Sequence, residues 1–333
     1  MSTSMPEATR RSSDGVVAYL ILSHHRPPQV EALAQRILGL SRRAAVVIHH
    51  DAAADDIPFA GGAPPRVHLV PRQRVLWGDW SIVEASLSLM RYAVDELDAS
   101  WCAFLSGEDR PVVDLERFER DLLASDLDGL VPARALVRRP VLGRAPTAED
   151  INFVRYRYRW RALPPVTGGG RRAVEAARRV SRYAAPLFKI EYTARRDRYF
   201  LALPRRRRLP AGWVLYSGPQ WIACARRAAQ VLLDADPAVV DWFRHTWIPD
   251  QSFFHTVLHN RDDLVLSDRP LTYVVPFATK RERGDMVLRL EDLDAIRASG
   301  AAFARKFDPA VDAAVLRALD DAVDTVAEGS DAS

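Results

Sequence analysis

Lysine is scarce in this chain: among 47 lysine and arginine residues, the only lysines are Lys189, Lys280 and Lys306. Cysteine is scarcer. Cys102 and Cys224 each sit inside an apolar run, Trp-Cys-Ala-Phe-Leu and Ile-Ala-Cys-Ala. That excludes a disulfide framework and predicts two buried, reduced thiols in a reducing compartment. No apolar run approaches the roughly 20 residues that a helix needs to cross a bilayer. The opening MSTSMPEATRRSSDG lacks the apolar core of a signal peptide. Internal repeats and flexible interdomain linkers are also missing. These absences predict a soluble, cytoplasmic protein with one domain over residues 15–327, between disordered ends at 1–14 and 328–333.

What is present is a globular balance. The 333 residues are 48% apolar and 27% charged, enough to bury a substantial core and too apolar for a disordered chain. Formal charge is only +4, because 43 acidic residues are spread among the basic ones. Arginine is so common that one arginine cluster weighs little, whereas each lysine stands out.

VVAYLILS (16–23) is a continuous apolar run of strand length, as a buried parallel strand requires. Pro27 and Pro28 come next, and VEALAQRILGL then has helical spacing. AAVVIHHD (44–51) reads as a second strand and VHLVP (67–71) as a third; WCAFLSGED is a strand entering a loop, and GLVPARAL is another short strand. SIVEASLSLMRYAVDEL (81–97) has the 3.6-residue apolar period and opens on a Ser81/Glu84 capping box. LERFERDLLAS is a further helix. This alternation predicts an α/β fold with a mostly parallel central sheet. Ligands bind such sheets at the carboxyl ends of the strands. The polar residues just past those ends are therefore candidates: Ser23-His24-His25, His49-His50-Asp51 and Ser106-Gly107-Glu108-Asp109. From about 138 to 208 the chain is irregular and arginine-rich, with FVRYRYRW, a break at Gly168 to Gly170 and a helical RRAVEAARRVSRYAA. The α/β pattern resumes at GWVLYSGPQWIACARRAAQVLLDA, followed by a helical SFFHTVLHN and a final helix near DAAVLRALDDAVDTVAEG.

Four stretches, taken in order, resemble one family. They are AYLILSHHRPPQVEALAQRIL with VVIHHD; VLWGDWSIVEASLSLMRYA; WCAFLSGEDRPV; and the set YSGPQWIA, WIPDQSFFHTVLHN and FARKFD. From about Val17 to Phe307 the chain resembles the core-2/I-branching β-1,6-N-acetylglucosaminyltransferases, a family that includes the peptide O-xylosyltransferases. The resemblance implies a GT-A-like nucleotide-sugar-binding fold and a UDP-sugar co-substrate carrying N-acetylglucosamine or xylose. It also implies a hydroxyl-bearing acceptor (a glycan, a lipid-linked sugar or a small metabolite), inversion at the anomeric carbon, and no required cofactor or metal. Position by position, it puts Ser23, His24, His25 and Asp51 at the uridine and Trp77 near the nucleotide. The Ser-Gly-x-Asp-x-Pro signature is intact as Ser106, Gly107, Asp109 and Pro111. Asp109, Arg155, Ser217, Gly218 and Trp221 fall on the acceptor side. Arg283 and Lys306 match the basic pair that grips the diphosphate. Two fixed cations can neutralise charge that builds on a departing phosphate, as a metal does elsewhere.

One position departs from the family. Gln251 stands where the resemblance expects a glutamate general base, and a neutral amide cannot take the acceptor's proton. Such assistance is typically worth about 10²–10⁴-fold. Asp250 is the first substitute and Glu108 a weaker one. The departure leaves open a catalytically weak nucleotide-sugar-binding protein. The arginine runs leave open a basic protein that binds nucleic acid or membrane, although no nucleic-acid motif occurs.

Other features have plainer readings. His24-His25 and His49-His50 lack cysteine or carboxylate at ligand spacing, and neighbours on a strand point to opposite faces, which favours structural or nucleotide-lining roles over metal. Asp126-Leu127-Asp128 and Asp234-Ala235-Asp236 read as solvated turns; Glu108-Asp109 is the one place after a buried strand where a divalent ion could sit. Arg205 to Arg208 reads as a solvated loop. The alternation from Arg155 to Trp160 fits stacking on sugars or bases or a half-buried strand about equally. Trp77 and Trp80 read as core by default; only the resemblance lifts Trp77 toward binding.

Overall fold

A strand buried on both faces must send alternate side chains into two separate cores, and the first strand does this. A computed structural model describes residues 15–136, 141–143, 148–184, 187–193, 198–205 and 209–331. Its first part runs β1 (Val17–Ser23), α1 (Pro27–Leu40), β2 (Ala44–His50), β3 (Val67–Leu69), α2 (Ser81–Asp95), β4 (Trp101–Ser106), β5 (Arg110–Pro111), α3 (Leu115–Ala124), β6 (Gly129–Leu130) and β7 (Arg134–Ala135). The arginine-rich middle contributes α4 (Ala148–Arg157), β8 (Tyr158–Ala162), α5 (Gly168–Ser181), β9 (Lys189–Thr193) and β10 (Arg198–Pro204). The remainder is β11 (Tyr216–Ser217), β12 (Ala223–Ala225), α6 (Arg226–Leu233), α7 (Pro237–Phe243), α8 (Phe253–His259), β13 (Leu266–Ser267), β14 (Thr272–Val274), α9 (Phe277–Arg283), α10 (Leu293–Ala298), β15 (Phe303–Arg305) and α11 (Ala313–Asp331).

Seven strands form the main sheet in the order β13-β6-β12-β4-β1-β2-β3. Every neighbouring pair is parallel except the two made by β12, with β4 and with β6. The fold is thus the α/β class with a mostly parallel central sheet that the sequence led us to expect. Ala18 and Leu20 of β1 enter a core with α2, α6 and α8, whereas Val17, Tyr19 and Ile21 enter a second core with α1 and α3. Cys102 and Cys224 lie opposite each other across β4 and β12, fully buried and unbonded, and burial pushes the Cys102 thiol up to about 12. Both are inert hydrophobes there.

The middle segment builds its own three-stranded sheet, β8-β10-β9, and packs Phe153, Tyr158, Trp160 and Phe200 against Trp247 and Ile248. A third small sheet, β14-β15-β5, carries the chain's later segment back to the end of β4. Among the described residues, no helix is long and apolar enough to cross a membrane.

Several local expectations are corrected. The capping box at Ser81 does not form: the Asp79 carboxylate accepts the Ser81 N–H at 3.1 Å, Ser81 Oγ accepts from Leu76 N at 2.9 Å, and Glu84 pairs with Arg244 at 2.8 Å. GLVPARAL is two strands in different sheets, β6 and β7, because Pro132 lacks the N–H that a continuous ladder needs. FVRYRYRW is helix through Arg157 and strand only from Tyr158. Gly168 to Gly170 opens α5 rather than breaking the chain. Asp128 is buried, not solvated, and its Oδ2 accepts from Val265 N at 2.9 Å; Asp234 and Asp236 are exposed as expected, and Asp236 also caps α7 through Ala238 N at 2.7 Å. Arg205 stacks 4.2 Å over Trp242 rather than facing water. Residues 206–208, 1–14 and 332–333 lie outside the described residues, and α11 runs on to Asp331.

Candidate functional site

Backbone groups at the carboxyl ends of parallel strands diverge into loops, and here those loops leave a cleft of about 900 Å³. Its walls come from the ends of β1, β2 and β4, from the segment around Trp77, from Pro219 to Trp221, from Asp250 and Gln251, and from Lys280, Arg305 and Lys306.

The first wall is rigid and polar. Ser23 Oγ lies 2.8 Å from His50 Nδ1, and the Ser23 carbonyl accepts Asp51 N–H at 2.9 Å, so the ends of β1 and β2 are tied together. Asp51 Oδ1 accepts from Ala53 N at 2.9 Å and Val75 N at 3.2 Å, which fixes the carboxylate at the cleft edge. His49 takes Gln73 N–H on Nε2 at 3.1 Å. The rings of His24 and His25 lie 4.3 Å apart, and burial, followed by the neighbouring His25, lowers the His24 pKa. Trp77 is 41% exposed and lines the cleft, set edge-on to Trp247, whereas Trp80 is buried against Phe253. One tryptophan is core; the other is presented.

The second wall joins two stretches nearly two hundred positions apart. Ser106 Oγ donates to Asp109 Oδ1, and Arg305 reaches the same pair: Nε donates to Asp109 Oδ1 at 3.0 Å and Nη2 to Ser106 Oγ at 3.1 Å. The Arg305 guanidinium also lies 4.1 Å over the Trp221 ring. Lys306 Nζ pairs with Glu108 Oε2 at 2.6 Å, and His25 Nε2 stands 3.5 Å from Glu108 Oε1. Burial works to raise the Glu108 pKa, but the bond and charge of Lys306 outweigh it and the net shift is downward. Gly107 is required at this corner: a Cβ there would meet Val30 Cγ2 at 2.7 Å.

The floor carries the reactive group. Ile248 has φ 55°, a left-handed conformation that is costly for a β-branched residue, and its N–H donates to Gly78 O at 3.1 Å. That turn directs Asp250 into the cleft. Asp250 is 5% exposed, its Oδ1 has no hydrogen-bond partner among the described residues, and burial pushes its carboxyl up to about 7 against smaller opposing effects from a backbone hydrogen bond and from Arg155. Gln251 lines the cleft beside it. A buried carboxyl with one oxygen left without a partner and a pKa pushed up to about 7 is suited to taking a proton.

The structure gathers most of the candidates and relocates some. Ser23, His24, His25, Asp51, Trp77, Glu108, Trp221, Asp250, Gln251 and Lys306 line the cleft. Arg283 does not: Asp292 holds it at 2.8 and 3.0 Å and Glu291 at 2.6 Å, and these carboxylates occupy the guanidinium. Lys280, one turn earlier on α9, lines the cleft instead. Asp109 is buried behind the wall and positions Arg305. Ser217 and Gly218 are outside the lining, with Ser217 paired to Arg134 across β11 and β7. Arg155 is outside the lining and acts on Asp250 through its charge. Sequence reasoning missed Lys280, Arg305 and Gln220. The signal for the first was in the composition, since two of the three lysines line this one cleft.

Gly218 offers a test of the packing beneath the floor. A Cβ at 218 would overlap the Pro132 carbonyl oxygen and the ring of the fully buried His255. Gly218→Ala is expected to destabilise the fold by about 1–3 kcal/mol, as overpacking does. Urea denaturation measures it, and an unchanged midpoint would show that the floor can yield.

The family model of the core-2/I-branching enzymes matches residues 17–127 and 174–287. The chain belongs to the core-2/I-branching family. Members are glycosyltransferases, so this chain is an enzyme of that kind. The two matched stretches hold both tied strand ends, the Ser-Gly-x-Asp segment, the floor and Lys280, and they leave out 128–173 and Arg305-Lys306. A comparison with curated proteins returns no match. Among solved structures, the mannose-1-phosphate geranyltransferase from Thermus thermophilus is similar at 15% identity over 75% of this chain and 68% of that one, with a TM-score of 0.28. At that score the likeness is slight.

Proposed function

We propose that this core-2/I-branching enzyme moves a sugar from a UDP donor to an acceptor hydroxyl with inversion, using cations of its own chain in place of a metal. One observation carries the reading: a buried carboxyl with one unpartnered oxygen and three cations, Lys280, Arg305 and Lys306, face a single cleft. Uridine would lie along Ser23, His24 and Asp51, with Trp77 over the nucleotide or sugar. The acceptor oxygen would attack the anomeric carbon as the bond to UDP breaks; its proton would pass to Asp250, and the charge left on the β-phosphate would fall to the cations. Glu108 and Asp109 are engaged by Lys306 and Arg305, which fits a site that meets phosphate with side-chain charge. N-acetylglucosamine is the first choice of sugar and xylose the second, both by analogy with the family.

A thermal-shift series with UDP-N-acetylglucosamine, UDP-xylose and UDP tests this. A ligand held by the native state at about a hundred times its Kd stabilises it by about 2.7 kcal/mol. The expected result is an upward shift of equal size in EDTA and in Mn²⁺, accompanied by UDP release when an acceptor is supplied. A shift that needs Mn²⁺ would remove the metal-free mechanism; no response to any UDP-sugar would remove the whole reading. Gln251 favours a second reading, in which the cleft binds nucleotide sugar but transfers it poorly. A clear shift without UDP release across a range of acceptors would select that one.

A further inference from the structure

Large apolar side chains left in water carry meaning when they cluster and little when they are scattered. Several cluster in the arginine-rich middle. Val180, Tyr183 and Leu187 are 60%, 55% and 61% exposed. With Ala173 and Ala176 they recur at spacings of three and four along α5 and the turn beyond it, so an apolar stripe faces outward. Gly143 N donates to Tyr183 O at 2.9 Å, which brings exposed Val141 and Leu142 to the same place.

The rim of this patch is basic. Arg172, Arg179 and Arg182 are exposed beside the stripe. A hollow of about 330 Å³ at its edge is lined by Arg178, Arg182, Tyr183 and Lys189, with one acidic residue, Glu191, that pairs with Lys189 at 3.2 Å. Glu175 is the one acidic residue on α5, and it is engaged by Arg178 at 3.0 Å and by Tyr199 Oη at 2.6 Å. An outward apolar ridge bordered by arginines complements a surface that is apolar within and anionic at its face.

We propose that this face of the middle segment docks on an anionic membrane, with Val180, Tyr183 and Leu187 entering the interfacial layer and the arginines on lipid phosphates. A nucleic acid would satisfy the arginines but offers nothing to the aliphatic ridge. A second copy docked face to face would set arginine against arginine. The contact is peripheral, since no described helix can span a bilayer. It is independent of the catalytic reading.

Sedimentation of the full chain with vesicles of phosphatidylcholine, alone or mixed with phosphatidylglycerol, tests the proposal. Binding is expected only with phosphatidylglycerol and should weaken as salt is raised. The combined Val180→Ser, Tyr183→Ser and Leu187→Ser variant should lose about tenfold or more in binding. Arg179→Ala with Arg182→Ala should lose about fivefold per arginine. An unchanged melting temperature shows that each variant is folded, and the salt and lipid dependence of the unaltered chain decides the matter even where a variant does not fold. Absence of binding by the unaltered chain overturns the proposal. So does full binding by the apolar variant, tighter binding to duplex DNA than to vesicles, or a solution dimer that the apolar variant dissolves.

Discussion

Asp250→Asn is expected to lower turnover by about 10²–10⁴-fold, the usual worth of general-base assistance, while making the protein more stable above pH 7. The two effects share one cause. In the folded chain burial raises this carboxyl to about 7 from its ordinary 3.8. Between those values the folded state holds a proton that the unfolded chain has released, so stability falls as pH rises from about 4 to about 7 and the full cost is present above it. Three units correspond to about 4 kcal/mol at most, and an uncharged amide avoids that cost. Urea midpoints at pH 5 and pH 8 should therefore show the variant gaining mainly at pH 8. The unaltered enzyme's turnover should climb as pH passes through about 7. Full activity in Asp250→Asn would remove the residue from the chemistry. Gln251→Glu approaches the same assignment from the other side: little gain is expected beside a working Asp250, and a gain of about tenfold or more would place the missing base at 251.

Lys280→Ala combined with Lys306→Ala is expected to cost about 10³-fold or more in kcat/KM, since even one donor to a developing oxyanion is worth about 10²–10³. The loss should appear in kcat as well as in donor affinity, because charge on the phosphate is greatest as the bond to the sugar breaks. Loss of Lys306 also leaves Glu108 facing the diphosphate without its 2.6 Å partner. Arg283→Ala is the contrast. Its guanidinium serves Asp292 and Glu291, so its removal should loosen the α9 segment and lower the melting temperature with little effect on UDP release per folded molecule. Turnover that survives Lys280→Ala alone but falls, per folded molecule, with Arg283→Ala would return the basic pair to Arg283 and Lys306, the positions expected from the sequence.

The core of the fold was legible because long apolar runs have few ways to be buried: β1, β2, β4 and the amphipathic α2 and α3 fall where their patterns place them. The polar strand ends were legible for the same reason, since a parallel sheet exposes those ends together. Short strands were not. β6 and β7 are two residues each, and nothing local says that Pro132 divides them between sheets. Arg283 was misplaced because counting back from Lys306 without gaps cannot see which basic residue on a helix faces inward; the acidic pair at Glu291 and Asp292 decides that. Arg305 was hidden behind its neighbour, because its partners Ser106 and Asp109 are remote in sequence. Asp250 was visible only as a substitute. What makes it suitable is burial and the left-handed turn at Ile248, and a sequence displays neither.

The donor wall joins the ends of β1, β2 and β4 to Arg305 and Lys306, and those two residues leave the ribosome after everything else that lines the cleft. A nascent chain therefore carries the ends of β1, β2 and β4 and the floor of the cleft before it has Arg305 and Lys306. In the finished fold β15 lies between β14 and β5, and that pairing is what brings both cations to the end of β4.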